Sequence, residues 1–175
     1  MKRIIYEKSQ RIIKNKKKIE KILNIKIENR GKEIIIESKP EDEYIAEKVL
    51  EALEFGFPFS VAMMIKEHSY SFEIINIKDH TNRKDLKRVR ARIIGKDGGT
   101  LKTLNELTKC YFEMKDNFVA IIGDPEHTKN AHEAIILIIK GSKQANVYNH
   151  LERHQPKEIH DLGLKEDFKE RGKFK

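Results

Sequence analysis

The chain repeats itself at a spacing of 85 residues, and this repeat constrains the fold more than any other feature. Pro40-Glu41 recurs as Pro125-Glu126, and Gly56 recurs as Gly141. Because a helix-opening proline and a helix-ending glycine stay in register, we interpret the chain as a duplication of one fold. Between residues 19 and 56 the copies align without a gap, and the matching apolar pairs are Ile19 with Leu104, Ile22 with Leu107, Ile27 with Phe112, Ile34 with Val119, Ile36 with Ile121, Ala46 with Ala131, Leu50 with Ile135 and Leu53 with Ile138.

The apolar spacing predicts the same elements in each copy, in the order strand, helix, helix, strand, strand, helix, followed by one more short helix. In the second copy we expect a first strand at Leu86–Arg90, a helix over 99–108, two strands at Tyr111–Met114 and Phe118–Ile122, and a long helix that Asp124 caps. Two strands and a long helix are expected in the first copy, at Ile25–Ile27, Glu33–Ile36 and Glu41–Phe55, and the short extra helices are Phe59–Lys66 and Ala145–Arg153.

These elements divide the 175 residues into three parts. Residues 1–78 form the first unit, which ends in a strand-like segment, Ser71–Ile77. A polar linker, Asp79–Asp85, opens the second unit, residues 79–154. Residues 155–175 form a charged tail with little apolar material, which we expect to be mobile.

The functional signal is the stretch Gly95-Lys96-Asp97-Gly98, which lies just before the helix over 99–108. Glycine tolerates positive φ and has no Cβ, so a nucleic-acid backbone can come close to the main chain. A helix that begins here points its free N–H groups and positive dipole end at a phosphate. A tight turn without function is the alternative. The first unit has Gln10-Arg11-Ile12-Ile13 at these positions, so we expect it to lack the loop.

Basic residues lead into this loop. On the expected strand, Arg88 and Arg90 would share one face, and we expect Arg92 and Lys96 to contact phosphates. Ile93, Ile94 and Leu101 are divided between the core and a groove for unstacked bases, and the sequence leaves that division open. The complete set of expected RNA-binding residues is Arg88, Arg90, Arg92, Ile93, Ile94, Gly95, Lys96, Asp97, Gly98, Gly99, Leu101 and Lys102.

The rest of the composition limits the class of protein to which the chain can belong. The net charge of +8 suits a nucleic-acid partner, and the single cysteine, Cys110, excludes an internal disulfide. No apolar run is long enough to span a membrane, so we expect a cytoplasmic protein. Cys110 is expected in the core, and His150 with His154 do not form a zinc-protease motif. With no P-loop or nucleophile elbow, we expect no enzyme, cofactor or metal.

The loop, the Ile-Ile pair before it and the two strands and helix after it resemble the KH domain, whose GxxG loop clamps about four nucleotides. The resemblance implies an α+β protein with tandem type I KH domains (βααββα), each a three-stranded sheet with helices on one face plus an extra short helix. Three further stretches extend the resemblance to the two-KH small-subunit ribosome-assembly factors of archaea and eukaryotes: Phe55-Gly56-Phe57 through Met64, Arg88 through Gly95, and Gly141-Ser142 through Arg153.

That family implies a ribosome-assembly factor that binds single-stranded RNA near the 3′ end of small-subunit rRNA, beside the endonuclease that matures it. Two other readings stay open. One is a general KH RNA-binding or RNA-decay accessory protein, and the other is a scaffold that docks a nuclease or translation factor. Neither the preferred bases nor the branch of the family follows from the sequence.

Overall fold

The computed structural model describes residues 2–5, 10–30 and 33–154, and the tail expected at 155–175 lies outside them. Two short 3-10 turns, Ile77–His80 and Lys96–Gly98, lie among the regular elements. In chain order these are β1 (Lys2–Ile5), α1 (Gln10–Leu23), β2 (Lys26–Arg30), β3 (Glu33–Glu37), α2 (Pro40–Phe55), α3 (Phe59–Glu67), β4 (Ser71–Asn76), α4 (Leu86–Ile94), α5 (Gly99–Thr108), β5 (Tyr111–Lys115), β6 (Phe118–Gly123), α6 (Pro125–Lys140) and α7 (Gln144–Arg153). No helix in this part of the chain is long and apolar enough to cross a membrane.

The strands form two antiparallel three-stranded sheets with the orders β1-β3-β2 and β4-β6-β5. In each sheet the strand that comes last in the chain lies in the middle, between the other two. The expected α+β class is confirmed.

The repeat is visible in the structure. The strands β2 and β5 start at equivalent positions, Lys26 and Tyr111, and α2 and α6 are both 16-residue helices with a proline at their start. Both helices end at a glycine with positive φ, +139° at Gly56 and +107° at Gly141. The duplication therefore covers strands, helices and helix ends alike.

The strand expected at Leu86–Arg90 is wrong, because these residues lie in helix α4. Leu86, Val89 and Ile93 recur at helical spacing and face the core, and the Asp85 carboxylate caps the helix by accepting from the Arg88 N–H at 3.1 Å. The first strand of the second sheet is instead β4, which pairs along its whole length with β6. The second unit thus begins with β4, earlier than the linker that was expected to open it.

The segment between the first and second strands is shorter in the first unit than in the second. Four residues separate β1 from α1, and α1 is one continuous helix in which Ile12 is completely buried. Positions 10–13 therefore form a helical turn where the second unit has its loop. One described helix, α1, precedes β2, where two were expected.

The first unit packs against the outer face of the second sheet. Ala120 and Ile122 of β6 are fully buried in the core of the first unit. The ring of Phe57 meets the ring of Phe72 edge to face at 6.2 Å, and Lys115 pairs with Glu54 at 3.6 Å. The helices α4 to α6 lie on the opposite face, so the second sheet is covered on both faces.

Candidate nucleic-acid interface

The loop between α4 and α5 places its two glycines in different surroundings. Both have φ of +76°, but a Cβ on Gly95 would lie 2.2 Å from Thr100 Oγ1, whereas a Cβ on Gly98 would meet nothing within 4 Å. Gly95 is thus required by the packing of the protein itself. Gly98 faces open space, where another molecule can come close to the backbone. Lys96 and Asp97 between them are both exposed.

The N-terminus of α5 has features that favour binding of an anion. Gly98 is its N-cap, no side chain caps the first turn, and that turn contains no acidic residue. The positive end of the helix dipole therefore lies beside the open glycine, and no side-chain hydrogen bond caps it. The exposed Lys102 adds a positive charge on α5, and Gly99 is exposed as well.

The helix α5 lies beside β5, and we call the surface between them the candidate groove. Asn105 of α5 donates to the carbonyl oxygen of Cys110 at 2.6 Å, just before β5 begins, and Leu101 lies one turn earlier on the same side of the helix. Leu101 is half-buried, as are Phe112 and Met114, whose side chains face the helices from β5. The floor of the groove is therefore apolar.

The second wall of the groove is the free edge of β5. This strand pairs with β6 on one side, and no strand of the described chain pairs with its other side. An unpaired edge presents a row of N–H and C=O groups. Ile94, at the end of α4, is 38% exposed, whereas Ile93 is completely buried. Of the isoleucine pair, only Ile94 is available to a ligand.

The arginines before the loop point in different directions, because they lie on a helix. Residues two apart on a helix do not share a face, so Arg88 and Arg90 are separated. The Arg90 Nη1 group donates at 3.3 Å both to the Asp116 carbonyl oxygen and to Asn117 Oδ1 in the β5–β6 turn. Arg90 therefore ties α4 to the strand wall of the groove. Arg88 is exposed.

Arg92 lies on the opposite flank of α4 from Arg90 and Ile94. Its Nη2 group donates to the Ser142 carbonyl oxygen at 2.6 Å, in the turn between α6 and α7. Sequence reasoning expected a phosphate contact here, and the structure shows a bond that holds two elements together. The side-chain partners of Arg90 and Arg92 lie 26 and 50 residues further along the chain, and sequence reasoning did not find them.

Two other groups of residues lie outside this groove. Cys110 is completely buried, and burial raises the pKa of its thiol, which supports its expected place in the core. The ring centroids of His150, on α7, and His154, directly after it, lie 4.2 Å apart. Among the described residues, no three histidine, cysteine or acidic side chains are arranged to hold a metal ion.

The order β4-α4-α5-β5-β6-α6, with a GxxG loop between the first two helices and β6 in the middle of the sheet, defines a type I KH domain. A family model described as Eukaryotic type KH-domain (KH-domain type I), for the second KH domain of PNO1, matches residues 71–156. The match begins at β4, in agreement with the sheet pairing.

Known proteins extend the similarity to both units. Dim2p from Pyrococcus horikoshii is 30% identical, with a TM-score of 0.79 over 87% of this chain and 98% of that one. A chain in a P. horikoshii complex of a/eIF2alpha, aDim2p and rRNA is also 30% identical. Its TM-score is 0.78, over 87% of this chain and 92% of that one. A KH domain-containing protein of Methanocaldococcus jannaschii is 29% identical over 81% of this chain. The pre-rRNA-processing protein PNO1 of Candida glabrata is 31% identical over 58% of this chain.

The chain therefore belongs to the Dim2/PNO1 family of two-KH proteins, as its sequence motifs indicated. The matched part spans 66% of the M. jannaschii protein and 40% of the C. glabrata protein.

Proposed function

We propose that this chain binds single-stranded RNA through its second unit and takes part in the assembly of the small ribosomal subunit. The observation that carries the proposal is the open backbone at Gly98 beside the uncapped start of α5. A phosphate placed there would meet free N–H groups, the helix dipole and the exposed ammonium group of Lys96.

The groove supports a single strand as the ligand. Its floor of Leu101, Phe112 and Met114 can accept unstacked bases, and the free edge of β5 can form hydrogen bonds with base edges. In a duplex the bases are stacked and paired, and a side chain cannot reach into the deep major groove of A-form RNA. We therefore assign the ligand role to Ile94, Lys96 to Gly99, Leu101 and Lys102, with Arg88 as an outlying charge and Gly95 as a residue that shapes the loop.

The RNA target we propose is the 3′ region of small-subunit rRNA. Support comes from family membership and from the P. horikoshii complex, which contains aDim2p together with rRNA. In this proposal the chain acts as a non-catalytic factor, in the cytoplasm or in the nucleolus of a eukaryote, and works beside the endonuclease that matures the rRNA.

A competition experiment tests this proposal. An oligonucleotide from the 3′ end of small-subunit rRNA should displace a labelled copy better than a scrambled one does, and better than the same sequence annealed to its complement. The dependence of affinity on salt should indicate only a few phosphate contacts, since a KH clamp holds about four nucleotides. Equal binding of the annealed duplex would contradict the groove and indicate attraction to the basic surface alone.

Binding of a protein partner is a second candidate function, because the same P. horikoshii complex also contains a/eIF2alpha. Crosslinking in cells, followed by sequencing of the bound RNA, distinguishes three possibilities. Enrichment of small-subunit rRNA 3′ sequence supports the assembly factor. Recovery of dispersed messenger RNA would support a general KH protein. Recovery of almost no RNA would support a scaffold for a nuclease or translation factor.

A further inference from the structure

Helix α7 follows the KH fold in the chain, and its first side chain is placed underneath the loop. Val147 and Leu151 of α7 are buried in the core of the second unit, so the helix is firmly anchored. At its N-terminus, Gln144 Nε2 donates to the Arg92 carbonyl oxygen at 3.1 Å and to Thr100 Oγ1 at 2.7 Å. One amide group therefore binds the chain on both sides of the loop.

Each of the two acceptors has a consequence for the loop. The Arg92 carbonyl belongs to the last turn of α4, where carbonyl oxygens have no partner within the helix. Thr100 Oγ1 is the atom that would lie 2.2 Å from a Cβ at Gly95. Gln144 thus fixes the hydroxyl against which Gly95 packs, and it also fixes the end of the helix from which the loop departs.

The contact is reciprocal. While Gln144 of α7 holds the ends of α4 and α5, the Arg92 side chain of α4 holds the Ser142 carbonyl in the turn that leads into α7. The three hydrogen bonds together connect the start of α7 with the base of the loop. The Arg92 guanidinium group therefore binds within the protein and helps to hold α7 in place.

The duplication provides an internal comparison. The residue equivalent to Gln144 in the first unit is Phe59, the first residue of α3, and it packs against the apolar core. In that unit the positions equivalent to the loop are a continuous helix, so there is no loop to hold. The amide is found in the unit that has the loop, and an apolar ring stands in the unit that lacks it.

From these contacts we propose that Gln144 is a positioning residue for RNA binding, which fixes the Gly95–Gly98 loop in its binding conformation from outside the groove. The proposal rests on the proposed function of that loop. A loop ordered before binding loses less conformational entropy when RNA binds, so the amide raises affinity without touching the ligand.

The test compares Gln144→Met, which keeps the length of the side chain and removes both hydrogen bonds, with Asn149→Ala at an exposed position on the same helix. Loss of one or two hydrogen bonds predicts an affinity for the rRNA 3′-end oligonucleotide about 3- to 10-fold lower in Gln144→Met. Thr100→Val removes one acceptor and should weaken binding in the same direction, and the double variant should be less than additive. Asn149→Ala should bind like the wild type.

Amide hydrogen exchange supplies a readout that does not need RNA. Gln144→Met should speed exchange at residues 95–100 and leave β5, β6 and α6 protected, whereas a general loss of stability would speed exchange throughout the second unit. Wild-type affinity with unchanged loop exchange in both Gln144→Met and Thr100→Val would overturn the positioning role. Failure of the proposed function is distinct: the wild-type chain itself would then not bind the oligonucleotide.

Discussion

Gly95 and Gly98 show how two residues of one motif acquire different roles. They share a φ of +76°, yet one backbone faces Thr100 and the other faces open space. A side chain on the first collides with the protein, and a side chain on the second would collide only with a ligand. In the proposed function, the motif therefore combines one position needed for folding with one needed for binding.

Alanine substitution should separate these two positions. Gly98→Ala adds a Cβ in open space at positive φ, which costs about 1 kcal/mol of stability. Its Tm should therefore fall only slightly, whereas its affinity for RNA should fall clearly. Gly95→Ala forces its Cβ against Thr100 and should lower Tm strongly. Thermal unfolding and RNA titration of both variants check this. Equal losses of stability in the two variants would contradict the assignment.

Lys96 supplies the charge test of the loop. Lys96→Asp creates two consecutive aspartates and leaves both glycines in place, so the loop should stay folded while a negative charge faces the phosphate. Loss of a charge-assisted contact suggests about 1.5–3 kcal/mol of binding free energy. Lys129→Asp, at an exposed position on α6, has the same change in net charge and serves as the control in the titration. Unchanged affinity in folded Lys96→Asp would remove the loop from the binding site.

At the scale of elements, the sequence predicted the loop, β5, β6 and α6, and it indicated a strand at Ser71–Ile77, where β4 lies. It assigned that strand to the first unit, and it missed α4. The segment Leu86–Arg90 is short enough to suit a strand or a helix, and the 85-residue register aligns it with the first strand of the first unit. Strand pairing decides between a strand and a helix here, because β4, which comes earlier in the chain, already occupies that edge of β6. Local periodicity contains no information on that pairing.

The partners of Arg90, Arg92 and Gln144 could not be predicted for a similar reason. Each side chain bonds to a residue that lies far away in sequence, and the contact exists only once the helices have packed. A basic run in a sequence therefore indicates an electrostatic preference, while the structure decides which charges remain available to RNA.

The helix α1 takes the place of the loop in the first unit and has a lysine-rich exposed surface, which includes Lys14, Lys17 and Lys18. Charge reversal at Lys16 and Lys17 should lower RNA affinity modestly and reduce its salt dependence, with little change in the preferred sequence. Titrations at several salt concentrations, with matched and scrambled oligonucleotides, measure both effects. A loss of sequence preference as large as that of Lys96→Asp would show that the first unit reads bases.

At the scale of the whole molecule, the contact between the units encloses an ionisable group. Glu113 of β5 faces Gly56 and Arg11 of the first unit, and burial raises the pKa of its carboxyl above the ordinary 4.5, with Arg11 opposing the shift. The folded state therefore holds this proton more tightly than the unfolded chain does. Stability is lost as the pH rises from the ordinary value through the raised one.

Glu113→Gln should remove that loss. The difference in Tm between the variant and the wild type should grow in favour of the variant as the pH rises from below 4.5 to neutrality. The same substitution at the exposed Glu106 controls for the general loss of one carboxylate. Parallel Tm curves for wild type and Glu113→Gln would show that Glu113 titrates alike in both states.

The burial of Ala120 and Ile122 in the core of the first unit also determines how the molecule comes apart. Neither unit can lose its structure without exposing apolar side chains that belong to the other, so partial unfolding is penalised on both sides of the contact. Heat or denaturant should therefore melt the two units in a single cooperative transition. The duplicated copy that has no RNA loop is, in this respect, an obligatory part of the domain that has one.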